Sequence, residues 1–223
     1  MDEAASKVER ARSTLRDPAY RKLLVLSAVV GLVVSIAAWA FLTLVPLLQD
    51  FLYLDLPDAL GFSEAPWWWP LPVLLVAGIV TAVAIRFMPG RGGGVPAEGM
   101  SSGGAPDPRA LPSVLLAGLA TLGFGLVLGP SSPVITLGLG IGLIIIGLAA
   151  SDASEEVRGV VGAAGGFAAL AVVFNNPIIA AIVFIEAIGI GGSMAPVIVL
   201  PGLMSAGIGS LVFYGMGNFT GLS

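Results

Sequence analysis

The sequence predicts an all-α, polytopic membrane protein with discontinuous helices, and three observations carry that reading. Hydrophobic residues make up 57% of the 223 and charged residues only 11%, where a soluble domain carries about 25% charged residues. Long stretches hold no charge at all, notably residues 23–48 and 111–150, and about 20 apolar residues suffice to cross a bilayer. Clusters of Gly, Pro, Ser and Asn interrupt the apolar sequence, at Gly129-Pro130-Ser131-Ser132-Pro133 and at Asn175-Asn176-Pro177. A bundle of long, simple spans has no need of such breaks. Discontinuous helices meeting near the midplane do. The mean hydropathy of +0.99 agrees.

Residues 1–22 mix six basic with four acidic residues. They read as a cytoplasmic N-terminal segment, with a short amphipathic helix carrying Val8, Ala11 and Leu15 on one face. They do not read as a cleavable signal, because the apolar run that follows is too long for one. Residues 23–223 then form the transmembrane domain. Its first segment covers about Leu23 to Leu48. The stretch from Asp50 to Pro66 holds four acids (Asp50, Asp55, Asp58, Glu64) and no base. Trp67-Trp68-Trp69 mark a bilayer interface. The second segment covers about Trp68 to Phe87, and Arg86, Arg91 and Arg109 follow. Lys and Arg collect on the cytoplasmic side, so residues 1–22 and 86–109 are expected inside and the acidic loop outside. The location is then a cell membrane, crossed several times, with the N-terminus cytoplasmic.

The third segment, about Ala110 to Leu126, is short for a span. The fourth covers about Pro133 to Ala150. Ser154 reads as an N-cap, with Glu155 and Glu156 in the first turn of the fifth segment, which ends near Phe174. Small residues Gly162, Gly165, Gly166 and Ala169 allow close helix approach there. The sixth segment, about Pro177 to Ile188, is too short to span. Residues 189–193 turn, and the seventh segment covers about Ala195 to Gly215.

The break at Gly129–Pro133 carries the chemistry. The helix that starts after it, at about Pro133, has free N–H groups and a partial positive charge at its N-terminus. Placed inside the membrane, such an end can hold an anion without a buried cation. The plain alternative is a loop joining two short helices. Glu186 is the only Asp, Glu, Lys or Arg between Gly159 and Ser223. A carboxyl in a membrane segment is a candidate for a proton or ion pathway; equally, its helix ends at the interface and the carboxyl is wet. No Lys or Arg lies in an apolar core, so a bound anion would rely on backbone N–H groups, hydroxyls and helix ends. Gly92-Gly93-Gly94-Val95-Pro96 would let backbone approach an ion closely, but it lacks the Lys-Ser/Thr of a phosphate loop. The chain has no Cys and no His. With no triad, paired carboxylates or metal ligands in the pattern, no enzyme activity, catalytic residue, cofactor, metal or nucleic-acid partner is expected.

In this order the pieces resemble the N-terminal half of the CLC family of chloride channels and chloride/proton exchangers, most of all its bacterial, actinobacterial-type members. Gly92-Gly93-Gly94-Val95-Pro96 resembles the first filter motif of the family, Gly-Ser-Gly-Ile-Pro. Gly129-Pro130-Ser131-Ser132-Pro133 resembles the second, Gly-Arg-Glu-Gly-Pro. Phe174-Asn175-Asn176-Pro177 with Phe184-Ile185-Glu186 resembles the helix pair that follows, and Leu200-Pro201-Gly202 onward resembles the helix closing the first repeat. The likeness covers about residues 20–220 and implies one repeat of the inverted-repeat CLC fold.

The departures alter what the resemblance implies. The place of the gating Glu is held by Ser131, which cannot carry a negative charge into the path. The place of an anion-coordinating Ser is held by Gly93. An acid that exchangers often place just after the position of Glu186 is here Ala187. The resemblance therefore implies passive anion permeation, of chloride above all, and not proton-coupled exchange. The family builds its site from two repeats, and the Gly-x-Phe-x-Pro motif and coordinating Tyr of the second are missing; Tyr20, Tyr53 and Tyr214 stand in other contexts. Completion by a second half or a second copy is expected, and segments six and seven correspond to the family's dimer surface. A non-conducting assembly subunit is the alternative of a different class, and an exchanger using Glu186 a further one.

Overall fold

The computed structural model describes residues 17–92, 107–188 and 195–216. The amphipathic helix expected within residues 1–16 lies outside the described residues. Seven helices follow the seven sequence segments: α1 (Pro18–Ala59), α2 (Pro70–Phe87), α3 (Leu111–Leu122), α4 (Ser131–Ala149), α5 (Glu155–Phe174), α6 (Pro177–Ile188) and α7 (Ala195–Gly215). Five of them are long and apolar enough to cross a membrane, while α3 and α6 are shorter.

The first helix departs most from the sequence expectation. It begins at Pro18, where Asp17 caps it by accepting from the Ala19 amide at 2.9 Å, and proline is preorganised for a first turn. It does not stop at Leu48. It passes Asp50, winds through a π-helical turn at Phe51–Asp55 and ends with Leu56–Ala59. At about 1.5 Å per residue, 42 residues extend roughly 63 Å. That is about twice a hydrocarbon core of roughly 30 Å, so α1 tilts or projects from the bilayer. The loop expected from Asp50 onward is therefore mostly helix, and only the stretch 60–69 links α1 to α2. Acids did not end the helix because one face still had apolar partners: Leu52, Trp69 and Val73 form a cluster flanked by Leu48, Tyr53, Leu56 and Phe124.

Helix α5 is the axis of the bundle. Every residue from Val160 to Val172 is buried, and α4, α7, α1 and α6 pack around it. Its small residues make this possible. A Cβ at Gly138 of α4 would collide with the backbone carbonyl of Gly165, and one at Gly165 with the carbonyl of Gly138. One turn along, a Cβ at Gly142 would lie 2.6 Å from the Val161 carbonyl oxygen. Helices approach this closely only where side chains are absent. Ser154 caps α5 as expected, accepting from the Val157 amide, with Glu155 and Glu156 in the first turn. Outward faces are apolar as well: Val25 and Val29 on α1, Leu71 and Leu75 on α2, and Leu211 on α7 are exposed. Helices apolar on both faces suit a lipid solvent.

Gly165→Ala forces two backbones apart and should cost about 1–3 kcal/mol, seen as a lower melting temperature of the purified protein. Gly147, also on α4, has nothing within 4 Å of an added Cβ, so Gly147→Ala should be neutral or stabilise by up to about 1 kcal/mol.

Candidate functional site

The break in the long apolar stretch sits earlier than its residues suggest. Helix α3 ends at Leu122, the non-helical stretch is 123–130, and α4 starts at Ser131. Of the five candidate residues, only Gly129 and Pro130 lie outside the helix. Ser131, Ser132 and Pro133 form its first turn. The reason is local: Pro130 adopts near-helical angles (φ −72°, ψ −8°), and its carbonyl accepts from the Val134 amide at 3.2 Å. Pro133 lacks an N–H, which costs nothing in a first turn. Gly129 is exposed, and a Cβ there would meet nothing within 4 Å, so space does not demand the glycine.

The start of α4 is presented rather than sealed. No side chain caps it. Ser131 is half-buried and Ser132 exposed, while the non-helical residues Val127 and Leu128 before it are exposed too. The first amides of a helix have no carbonyl behind them, and the helix dipole adds partial positive charge. Such an end can receive an anion. Pro133 fixes its place: a Cβ at Gly118 of α3 would lie 2.9 Å from the Pro133 ring and 3.3 Å from Phe41. The Thr136 hydroxyl donates to the Ser132 carbonyl at 2.9 Å, so it points back along α4 and takes one acceptor from the site.

The first glycine motif is described only at its start. Gly92 has φ +77°, next to Gly90 at +84° and Arg91 at +49°; Gly93, Gly94, Val95 and Pro96 lie outside the described residues. The Gly92 amide donates weakly to Ser113 Oγ at 3.4 Å, and that hydroxyl lies 2.6 Å from the Pro89 carbonyl oxygen. A Cβ at Gly92 would lie 3.6 Å from Ala117 Cβ. Thus Gly92 rests on Ala117 and Pro133 on Gly118, consecutive residues of α3. Gly92 and Pro133, far apart in sequence, both lie against one turn of α3.

Glu186 is not part of this arrangement. It is exposed near the C-terminal end of α6, the end opposite the Asn176 cap. The Asn176 Oδ1 accepts from the amides of Ile178 and Ile179 at 2.9 and 3.0 Å. Asn175 takes a left-handed conformation (φ 52°), and its carbonyl accepts from the Tyr214 hydroxyl at 3.1 Å. Phe184 aims inward and meets Phe167 with ring centroids 4.6 Å apart. Among the described residues no group of His, Cys, Asp or Glu is placed to hold a metal. An open groove of about 460 Å³ is lined by Pro18, Arg21, Lys22 and Val25 at the start of α1, none of them a motif residue.

Sequence reasoning missed the residues that hold the break. Gln49 Nε2 donates to the Leu122 carbonyl at 2.8 Å, and the Tyr53 hydroxyl donates to the Phe124 carbonyl at 2.9 Å. The one available signal was their placement: Gln49 and Tyr53 are polar residues four apart at the end of an apolar run.

Residues 83–222 match the family described as "Voltage gated chloride channel". YfeO of Escherichia coli (strain SMS-3-5 / SECEC), named as a candidate ion-transport protein, is 29% identical over 200 residues, which covers 87% of this chain and 47% of that protein. YfeO of Shigella boydii serotype 4 gives the same identity and the same coverage. Among solved structures, a slow cyanobacterial Cl⁻/H⁺ antiporter is similar with a TM-score of 0.72 at 21% identity, over 88% of this chain and 47% of that one. That likeness shows a CLC transporter fold. The chain spans about half the length of the relatives it matches.

Asn176→Ala removes the acceptor for two amides and should destabilise the protein by about 1 kcal/mol, measured by thermal unfolding. Asn176→Asp, which keeps the acceptor, should melt close to the wild type.

Proposed function

The chain belongs to the voltage gated chloride channel family, and from that premise we propose that it supplies one half of a passive permeation path for chloride. One observation carries the proposal. The N-terminus of α4 opens without a capping side chain from the non-helical stretch 123–130, and the first-turn residue is Ser131. An anion there meets amides and hydroxyls. The first turn of α4 carries no carboxylate that would compete for the place or shuttle a proton. Residues 1–22 are the cytoplasmic N-terminal segment, although the helix already begins at Pro18, and residues 23–223 are one transmembrane repeat. The other side of the path comes from a second unit of this kind, either a second copy or a second half. Gly92, the described start of the first glycine motif, lies against helix α3, its amide 3.4 Å from Ser113 Oγ.

Chloride efflux from loaded liposomes tests this. Efflux without proton movement is expected. Ser131→Glu should slow it at neutral pH at least about tenfold, because a fixed like charge a few ångströms from the anion opposes entry. The block should lift in acid as the new carboxyl protonates, its unperturbed pKa being about 4.3. Glu186→Gln should leave efflux unchanged. Chloride-driven proton uptake that disappears in Glu186→Gln would establish exchange instead, and a stable oligomer without flux would establish an assembly subunit.

Orientation has its own test, because the chain contains no cysteine. Glu64→Cys should react with a membrane-impermeant maleimide on intact cells. Lys22→Cys should react only after permeabilisation. The reverse pattern would invert the proposed topology.

A further inference from the structure

The end of α1 departs from ordinary helix geometry at the point where it meets the break. Residues Phe51–Asp55 are π-helical, and the Leu56 amide donates to the Phe51 carbonyl five residues back. In that register the next carbonyl, of Leu52, would need the amide of residue 57, which is Pro57 and has none. The Trp69 indole supplies the missing donor, with Nε1 2.9 Å from the Leu52 carbonyl oxygen in a buried setting. The turn is thus stabilised from outside the helix. π-Turns of this kind concentrate at functional sites because they re-aim side chains.

What this turn aims is Tyr53. Its hydroxyl reaches the Phe124 carbonyl, and Gln49 one turn earlier reaches the Leu122 carbonyl. Both acceptors belong to the turn that closes α3, where the Gly125 amide donates to Leu122 at 3.1 Å and the Leu126 amide to Thr121 at 3.0 Å. Gly125 has φ +91°, and a Cβ there would sit 3.1 Å from the Tyr53 hydroxyl oxygen. Phe124 packs into the cluster around Leu52 and Trp69. From Leu126 to Gly129 the chain is exposed. The start of α4 is therefore anchored at two places, by this turn and by Pro133 on Gly118.

We propose that Gln49 and Tyr53 are positioning residues for the anion end of α4, a two-point clamp that the π-helical turn sets in register. Neither touches the anion. They fix where the connection leaves α3, and so how the Ser131 and Ser132 amides are presented. The transport consequence rests on the permeation reading; the clamp itself does not.

Tyr53→Phe keeps the ring and removes only the donor, and Gln49→Met keeps the length. In the full chain, hydrogen exchange at Gly125 and Leu126 should rise about tenfold in either variant, the scale of one lost hydrogen bond. Exchange in α5 should rise no more than it does at Gly125 and Leu126, and the melting temperature should fall by no more than the loss of that one bond allows. Selectivity for chloride over iodide should fall several-fold, and Gln49→Glu, which keeps an acceptor but loses the donor, should not restore it. Wild-type exchange at Gly125 and Leu126 in both variants would overturn the clamp. Faster exchange with unaltered selectivity in a conducting protein would overturn the positioning role. A wild-type chain that moves no chloride would sink the permeation reading alone, and the exchange rates would then decide the clamp.

Discussion

The backbone contact between Gly138 and Gly165 sets the geometry of the bundle. In lipid no water satisfies an open backbone, so each helix must close its own hydrogen bonds. What remains for holding helices together is packing, which is strongest where small residues let backbones touch. Helix α5 takes this to its limit, with thirteen consecutive residues buried from Val160 to Val172. Large rings then fill the spaces that glycines leave. Phe167 lies where a side chain at Gly202 of α7 would be, and Phe184 of α6 lies where one at Gly166 would be. Helices α4, α6 and α7 are each located on α5 by a glycine and its partner.

Helices α1 and α7 repeat the device in reciprocal form. A Cβ at Gly31 would strike the Ser205 backbone, and one at Gly209 would lie 2.5 Å from the Ser35 hydroxyl. Glycine faces serine at both levels, four residues apart on each helix. Because the two pairs advance in the same direction, α1 and α7 run alongside one another at this contact. This places α1 firmly at its middle, and its last turns extend past that contact to reach Trp69 and the end of α3. Those last turns carry Gln49, Tyr53 and the π-helical segment. The stability of the core and the shape of the candidate site are thus assigned to different parts of one long helix.

The broken stretch is where the packing rules relax. Val127 and Leu128 are exposed, and the start of α4 lacks a cap. A helix end left uncapped in an otherwise tightly closed structure costs stability unless a ligand or a partner satisfies it. Helix α3 gives that opening a defined floor: Pro133 lies against Gly118, and Gly92 lies beside Ala117 and Ile85.

Local rules sufficed for much of this in the sequence. Uncharged length, the Ser154 cap, the Asn175-Asn176-Pro177 stop and the small residues of α5 each act within a few neighbours, so α2, α5, α6 and α7 could be read to within a residue or two. The candidate residues of α4 could be named because proline and glycine punctuate a chain wherever they stand. Three things could not be read. Asp50 looked like an end, yet the helix continued, because Leu52 and Leu56 found partners in Trp69, Val73 and Phe124. Gly129–Pro133 looked like the break, yet most of it is the first turn, because Pro130 is already near-helical. Gln49 and Tyr53 had no visible task, because their acceptors, the carbonyls of Leu122 and Phe124, are backbone atoms more than seventy residues away. The sequence by itself determined which segments are helical and that the apolar chain is broken twice. Only the tertiary structure decided where the first break opens and what holds it, since a carbonyl is the same in every residue and its partner is chosen by the fold.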